Sequence, residues 1–171
     1  TDNARTLRQT MGIIASFRDT VVPDEPDPVA YVRDDIDGDG DSDLTWRNNA
    51  ETLFAYWLLD GATLVDSRIF NVAPQWTVVA KGDLNGDGLA DLVWSNGSAL
   101  YLWAGDGASF DSARIDRHPP GWNVFGAGDV DGDGKDDLIF RNVARTQVAY
   151  WTMDGAQHVG TRVFGASSAW T

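Results

Sequence analysis

Three short acidic segments hold the residues of this chain whose types and spacing could do chemistry. They read DIDGDGDSD from Asp35 to Asp43, DLNGDGLAD from Asp83 to Asp91 and DVDGDGKDD from Asp129 to Asp137, and are called loops one, two and three. Their first aspartates are 48 and then 46 residues apart. Two carboxylates about 4 Å apart repel each other by about 4 kcal/mol at an effective dielectric near 20. Each loop therefore predicts a bound cation, and the regular spacing predicts a repeat fold.

Each loop offers oxygen ligands from the side chains at positions 1, 3, 5 and 9 and from the backbone carbonyl at position 7. Hard oxygen ligands favour Ca²⁺, whereas Mg²⁺ demands a stricter octahedral geometry with retained waters. The predicted ligands, with the position-7 carbonyl last in each set, are Asp35, Asp37, Asp39, Asp43 and Asp41; Asp83, Asn85, Asp87, Asp91 and Leu89; and Asp129, Asp131, Asp133, Asp137 and Lys135. We expect three Ca²⁺ sites, the second being the weakest because Asn85 stands where the other loops have a carboxylate.

The loops resemble the first half of an EF-hand loop, but the second half differs. An EF-hand loop needs a bidentate Glu at position 12, where this chain has Trp46, Trp94 and Phe140. The segments that follow, DLTWRN, DLVWSN and DLIFRN, are short and apolar and read as buried strands. We therefore expect calcium-binding connections between strands; ordinary Asp/Gly turns explain three matching copies less well.

The eight tryptophans occupy three recurring slots. The slots lie seven residues before a loop, at loop position 12, and three residues before an Asp-Gly hairpin turn. In that order they hold Trp76 and Trp122, with Trp170 as the expected start of an unfinished fourth unit; Trp46 and Trp94, with Phe140 as the variant; and Trp57, Trp103 and Trp151. This periodicity favours core packing for most of them, and a sugar-stacking surface is the alternative.

Each unit of about 47 residues reads as a meander of four strands, which is the pattern of a propeller blade. The predicted fold is all-β, with three tandem four-stranded antiparallel propeller-type blades forming a partial or open β-propeller behind an N-terminal extension. The predicted boundaries are an arm and linker over residues 1–27 and repeats over residues 28–171. The repeats divide at about 28–75, 76–121 and 122–171.

The acidic loop, the D-L-x-W strand after it and the W-x-x-D-G hairpin resemble the FG-GAP/VCBS repeat family. The string FGAGD at Phe125 to Asp129 is close to the motif that names the family. The resemblance spans residues 28–171 and implies β-propeller blades with structural Ca²⁺ in the loops. It does not imply a single function, since such blades occur in adhesion proteins, in lectins and as appendages on enzymes.

Composition narrows the classes of function. The net charge is −13 without a basic patch, which argues against nucleic acid as a partner. Three Ca²⁺ ions would bring the charge to about −7, so bound metal would account for much of the acidity. The chain has no cysteine and no apolar run long enough to span a membrane, and weak Ca²⁺ modules suit extracellular calcium levels. We therefore expect a secreted protein without membrane insertion. Its two histidines lack a catalytic pattern, so we do not expect an enzyme.

Three blades are fewer than the four to eight of a closed propeller. The chain is therefore expected to be a fragment of a longer propeller, part of a ring of several chains, or a unit of a filament. The segment Thr10 to Phe17 reads as a β-strand or a short helix, and Val21 to Pro28 reads as an extended linker. As a strand, the arm would be donated to a neighbouring subunit or would cap its own first blade.

The sequence thus predicts a secreted, calcium-binding structural or adhesive module that self-associates into an extracellular assembly, for which a filament is one form. Its N-terminal arm and open blade edges are the predicted contacts, and a homo-oligomer or polymer is the predicted state. The alternative is a carbohydrate-binding, lectin-like module or an accessory fragment of a larger secreted protein. Either function leaves room for a glycan or cell-surface ligand.

Overall fold

The structure, a computed structural model, describes residues 33–167 and 169. Within these residues the secondary structure consists of strands without a helix, which confirms the all-β prediction. The strands are β1 Leu44–Arg47, β2 Leu53–Asp60, β3 Thr63–Asn71, β4 Thr77–Gly82, β5 Asp91–Ser95, β6 Ala99–Gly105, β7 Phe110–Arg117, β8 Trp122–Gly128, β9 Asp137–Asn142, β10 Gln147–Asp154 and β11 Gln157–Gly165.

The strands form three consecutive antiparallel sheets in which neighbours along the chain are neighbours in the sheet. Blade one has the order β1-β2-β3, blade two β4-β5-β6-β7 and blade three β8-β9-β10-β11. These are the predicted propeller-type blades, and blade one shows three strands within the described residues. The predicted arm and linker over residues 1–27, and Trp170, lie outside the described residues.

In each blade, an asparagine side chain fixes the turn after the strand that follows the acidic loop. In blade three the Asn142 Oδ1 atom accepts the backbone N–H groups of Thr146 and Gln147 at 2.8 and 3.0 Å. Asn48 and Asn96 make the same pair of bonds in blades one and two. A side chain that satisfies two turn donors sets the register of the following strand.

The hydrophobic core lies between blades rather than within one. One cluster joins blades one and two, and the other joins blades two and three. Trp94 and Trp151 are buried, and Trp76, Trp103 and Trp122 are half-buried against these clusters, which confirms the predicted core role for five tryptophans. The remaining described pair, Trp46 and Trp57, does not belong to this core and lies exposed on the face of blade one opposite Phe54 and Tyr56.

Candidate metal centre

The three acidic loops occupy one structural position in each blade. Loop two connects the end of β4 at Gly82 with the start of β5 at Asp91, and loop three connects β8 with β9 in the same way. Loop one leads directly into β1. The predicted connection between strands is therefore confirmed for loops two and three, whose two ends are held in place by the paired strands.

The first aspartate of each loop folds the loop around its own carboxylate. In loop one, the Asp35 Oδ1 atom accepts the N–H of Gly38 at 2.7 Å and Oδ2 accepts the N–H of Gly40 at 3.0 Å. Asp83 and Asp129 hold the glycines at positions 4 and 6 of their loops identically. These glycines all have φ between +78° and +95°, a region that other residues rarely enter. Glycine is therefore favoured at both position 4 and position 6 of each loop.

The side chains at positions 3 and 5 tighten each loop further. In loop three the Oδ1 atoms of Asp131 and Asp133 accept the backbone N–H groups two residues later, at 3.3 and 2.9 Å. Asp37 and Asp39 do the same in loop one. These short-range bonds turn the carboxylates inward toward a common centre, so like charges are held together.

The carboxylates at positions 1, 3 and 5 converge as a metal site requires. Oxygen atoms of Asp35, Asp37 and Asp39 lie within 4.8 Å of one another, and those of Asp129, Asp131 and Asp133 do likewise. Oxygens that share one Ca²⁺ at 2.3–2.6 Å lie no more than about 5 Å apart. The two clusters therefore fit a hard divalent cation in both donor type and spacing.

Loop two departs from this arrangement at Asn85. Its Nδ2 group donates to the Asp87 Oδ2 atom at 2.8 Å, and its Oδ1 atom accepts the Asp87 N–H at 2.9 Å. An internal hydrogen bond thus does part of what a cation would do in the other loops, because it satisfies a carboxylate oxygen. That is the physical basis for expecting the weakest metal affinity here, which stays a prediction.

The aspartate at position 9 braces the loop to its blade. The Asp91 Oδ2 atom accepts the N–H of Leu84 at 2.9 Å, and Oδ1 accepts the N–H of Gly105 in β6 at 3.0 Å. Asp43 and Asp137 make the corresponding two bonds. All three are buried, and burial raises the pKa of each, to about 7 for Asp91. Their role as metal ligands stays a prediction. Their hydrogen bonds to the neighbouring strand were not predicted from the sequence.

The residues at position 7 were predicted to offer carbonyl oxygens, and that role also stays a prediction. Their side chains differ in what they contact. The Asp41 Oδ2 atom accepts the N–H of Gly61 at 2.7 Å, and the Lys135 ammonium donates to Asp154 at 2.7 Å. In both cases the loop is joined to the β2–β3 or β10–β11 hairpin of its own blade, as expected for a loop that positions two sheet elements.

Successive loops are also joined to each other, which the sequence analysis missed. The N–H at position 8 of one loop donates to the carbonyl at position 1 of the preceding loop: Ala90 to Asp35 and Asp136 to Asp83, both at 2.6 Å. In loop three the buried Asp136 carboxylate adds a second bond, since it accepts the Asp83 N–H at 3.0 Å. Asp136 belongs to the DxDGDGKDD run but falls between predicted ligands, so ligand spacing gave no signal for it.

A separate aromatic cavity of about 280 Å³ lies where blade two meets blade one. Trp76, Trp94, Tyr101 and Trp103 line it. Tyr101 and Trp103 lie on one face of β6, as their spacing of two predicts. The Trp94 Nε1 atom is buried and has no hydrogen-bond partner among the described residues. The cavity combines flat apolar walls with polar groups on neighbouring Asn71 and Ser112.

Part of the chain matches a known family of repeats. The model of the FG-GAP-like repeat matches residues 35–94, from the first aspartate of loop one to the tryptophan after loop two. No curated protein matches the chain significantly. Within the described residues, no helix is long and apolar enough to cross a membrane. Repeats of this type suggest an extracellular or adhesive setting and a structural rather than enzymatic module. The match over residues 35–94 is consistent with the FG-GAP/VCBS-like repeat family that the acidic loops and tryptophan slots predicted.

Proposed function

We propose that this chain is a secreted, calcium-stabilised structural or adhesive module that self-associates into an extracellular assembly. The observation that carries the calcium part is the convergence of three carboxylates within 4.8 Å in loops one and three. Asp39, Asp131 and Asp133 lie at the surface, whereas Asp35 is buried, so at least one charge of loop one is held in a low-dielectric setting. A divalent cation would remove the repulsion that the loop hydrogen bonds impose.

Calcium in this position would stabilise the blades themselves. Loops two and three each join two paired strands, and the position-9 carboxylates of the three loops reach β2, β6 and β10. A cation that binds the folded loop and not the unfolded chain raises the free energy of unfolding by mass action. The ligands in this reading are the side chains named at positions 1, 3, 5 and 9 and the carbonyls at position 7.

Thermal unfolding with and without calcium tests this role. We expect the Tm to fall when EDTA removes calcium and to recover when Ca²⁺, but not equimolar Mg²⁺, is restored. Calorimetric titration should count three Ca²⁺ ions per chain, and Asp131→Ala should reduce the count to two. Asp111→Ala, at an exposed position in β7, is the matched control and should keep all three. An unchanged Tm in EDTA would refute a structural role for the ion.

Self-association is supported by the exposed apolar faces at both ends of the array and by the adhesive setting of the repeat family. Among the described residues, Trp46 and Trp57 of blade one and Phe164 of blade three are exposed on these faces. Covering them removes apolar surface from water, which contributes about 25 cal/mol per Å² before the entropic cost of association is subtracted. Sedimentation over a range of protein concentrations, in millimolar Ca²⁺, measures this association directly.

The aromatic cavity favours carbohydrate binding as a second candidate function. Tryptophan and tyrosine faces stack on the apolar faces of sugar rings, while polar groups such as the Asn71 amide can bind hydroxyls. A glycan array tests this function, and Asn71→Ala should weaken any binding while Asn49→Ala, on an exposed turn, should not. Specific glycan binding by a chain that stays monomeric would favour this function over the assembly module.

A further inference from the structure

Equivalent residues of the three blades differ sharply in exposure on one face. Trp46 is 43% exposed, whereas the residues in the same slot of blades two and three, Trp94 and Phe140, are 2% and 1% exposed. Trp57 is likewise exposed, while its counterparts Trp103 and Trp151 are half-buried and buried. The residue type is kept, but among the described residues no blade packs on this face, so the exposed face of blade one has the composition of an interface.

The cover in the interior of the chain is the aromatic face of the preceding blade. The ring of Trp94 meets Phe54 of blade one at 5.0 Å, and Trp103 meets Phe70 at 5.6 Å. Phe54 and Tyr56 of β2 are each 1% exposed once blade two covers them. A blade therefore presents its Trp pair backward along the chain and an aromatic face forward.

Blade three presents the same forward face. Val148 pairs with Phe164 and Tyr150 with Arg162 in β10–β11, as Phe54 pairs with Phe70 and Tyr56 with Arg68 in β2–β3. The ring centroids of Tyr150 and Phe164 are 6.0 Å apart, and those of Tyr56 and Phe70 are 5.9 Å apart. In blade three, however, Phe164 is exposed.

The acidic loops show a corresponding difference in side-chain exposure between the blades. At loop position 2, Ile36 is 3% exposed and Leu84 is 0% exposed, because the next blade covers each. Val130, at this position in loop three, is 46% exposed. The carboxylate at position 1 follows suit, since Asp35 and Asp83 are buried and Asp129 is exposed.

We propose that a second copy of this chain docks head to tail, with the Trp46–Trp57 face of its blade one on the Tyr150–Phe164 face of blade three. The docked blade would cover Val130 as blade two covers Ile36. Its Ser42 N–H would take the place of the Ala90 N–H that bonds Asp35, and would donate to the Asp129 carbonyl. The contact is heterologous, and two such chains would bring together six blades, within the range of closed propellers.

This inference rests on the self-association proposed above and assigns it to two sheet faces. Trp57→Glu places a charge on the head face, and Tyr150→Glu places one on the tail face. Each should weaken association at least about tenfold in sedimentation at millimolar Ca²⁺, as expected for buried aromatic anchors. Val159→Asp, at an exposed residue that the β10–β11 register leaves unpaired, is the control and should associate like the unmodified chain.

Mixing the two variants separates docking from misfolding. Each variant alone should be monomeric, but the intact tail of Trp57→Glu should bind the intact head of Tyr150→Glu and give dimers that grow no further. A mixture that stays monomeric would overturn the proposal. If both variants assemble like the unmodified chain, face docking is wrong while self-association through another contact stands. If the unmodified chain is monomeric at every concentration, both fail.

Discussion

The backbone N–H of Asp136 donates to the carbonyl of Asp83 at 2.6 Å, and the carboxylate of Asp136 accepts the N–H of Asp83 at 3.0 Å. These two hydrogen bonds form a clamp that joins loop three to loop two. The clamp leaves no room for a side chain at the residue before Asp83, which is Gly82. A Cβ atom built on Gly82 would lie 2.1 Å from the Asp136 Oδ2 atom. The clamp and the glycine therefore depend on each other.

Replacing Gly82 by alanine should destabilise the fold by disrupting this clamp. The added methyl group displaces the Asp136 carboxylate and leaves the buried Asp83 N–H without its acceptor, at a cost of about 1–3 kcal/mol in the free energy of unfolding. Gly128→Ala is the matched control, because Gly128 precedes loop three as Gly82 precedes loop two but has open space around its Cβ position. Urea unfolding followed by tryptophan fluorescence measures both.

A double variant identifies the cause. In Gly82→Ala combined with Asp136→Ala, the steric conflict is gone, so the two substitutions should cost clearly less than the sum of their separate effects. Strict additivity would place the damage of Gly82→Ala elsewhere in β4 and would contradict the clamp.

Replacing Asn85 by aspartate should exchange an internal hydrogen bond for a metal ligand. The Asn85 Nδ2–Asp87 Oδ2 bond of 2.8 Å is lost, so the calcium-free protein should become less stable, by about 1 kcal/mol. The added carboxylate should tighten Ca²⁺ binding at loop two toward that of the other loops, as calorimetric titration would measure. The reciprocal change, Asp131→Asn in loop three, is the control and should weaken binding there. Unaltered affinity at loop two would show that position 3 is not a ligand.

The sequence predicted the repeated local structure well, because that structure is encoded within each unit. The acidic loops and the apolar strands after them have the predicted places, and Asp60-Gly61 and Asp154-Gly155 form the hairpin turns that their dipeptides predict. Glycine spacing and alternation of side chains are properties of a few adjacent residues, so a single copy of the pattern suffices to predict them.

Contacts between residues far apart in the chain could not be predicted from the pattern within one repeat. Trp46 and Trp94 fill the same slot, yet Trp46 is exposed and Trp94 is buried. Burial depends on whether another blade packs against the residue. The hydrogen bond that Asp91 accepts from Gly105 likewise depends on strand pairing. The pairing of β5 with β6 places the Gly105 N atom 3.0 Å from the Asp91 Oδ1 atom. Asp136 was missed for the same reason, since its partner Asp83 lies 53 residues away in the chain.

The calcium-free protein should become more stable as the pH falls from 8 to 5. Burial raises the pKa of Asp91 to about 7, against about 3.9 in an unfolded chain, and raises those of Asp43 and Asp137 in the same direction. The folded protein therefore binds more protons than the unfolded chain between these values. The stability that protonation supplies is complete below about pH 4 and is lost as the pH rises through 7. Between its two pKa values, Asp91 contributes a slope of on the order of 1 kcal/mol per pH unit.

Calcium should reverse this dependence, and the reversal separates buried-carboxylate repulsion from general acid sensitivity. With saturating Ca²⁺ the carboxylates must lose their protons to bind the ion, so stability should rise with pH over the same interval. Urea unfolding at pH 5, 6, 7 and 8, with EDTA and with Ca²⁺, gives both curves from one protein. Parallel curves would mean that the metal does not compete with protons at these loops, and calcium would then have to bind elsewhere.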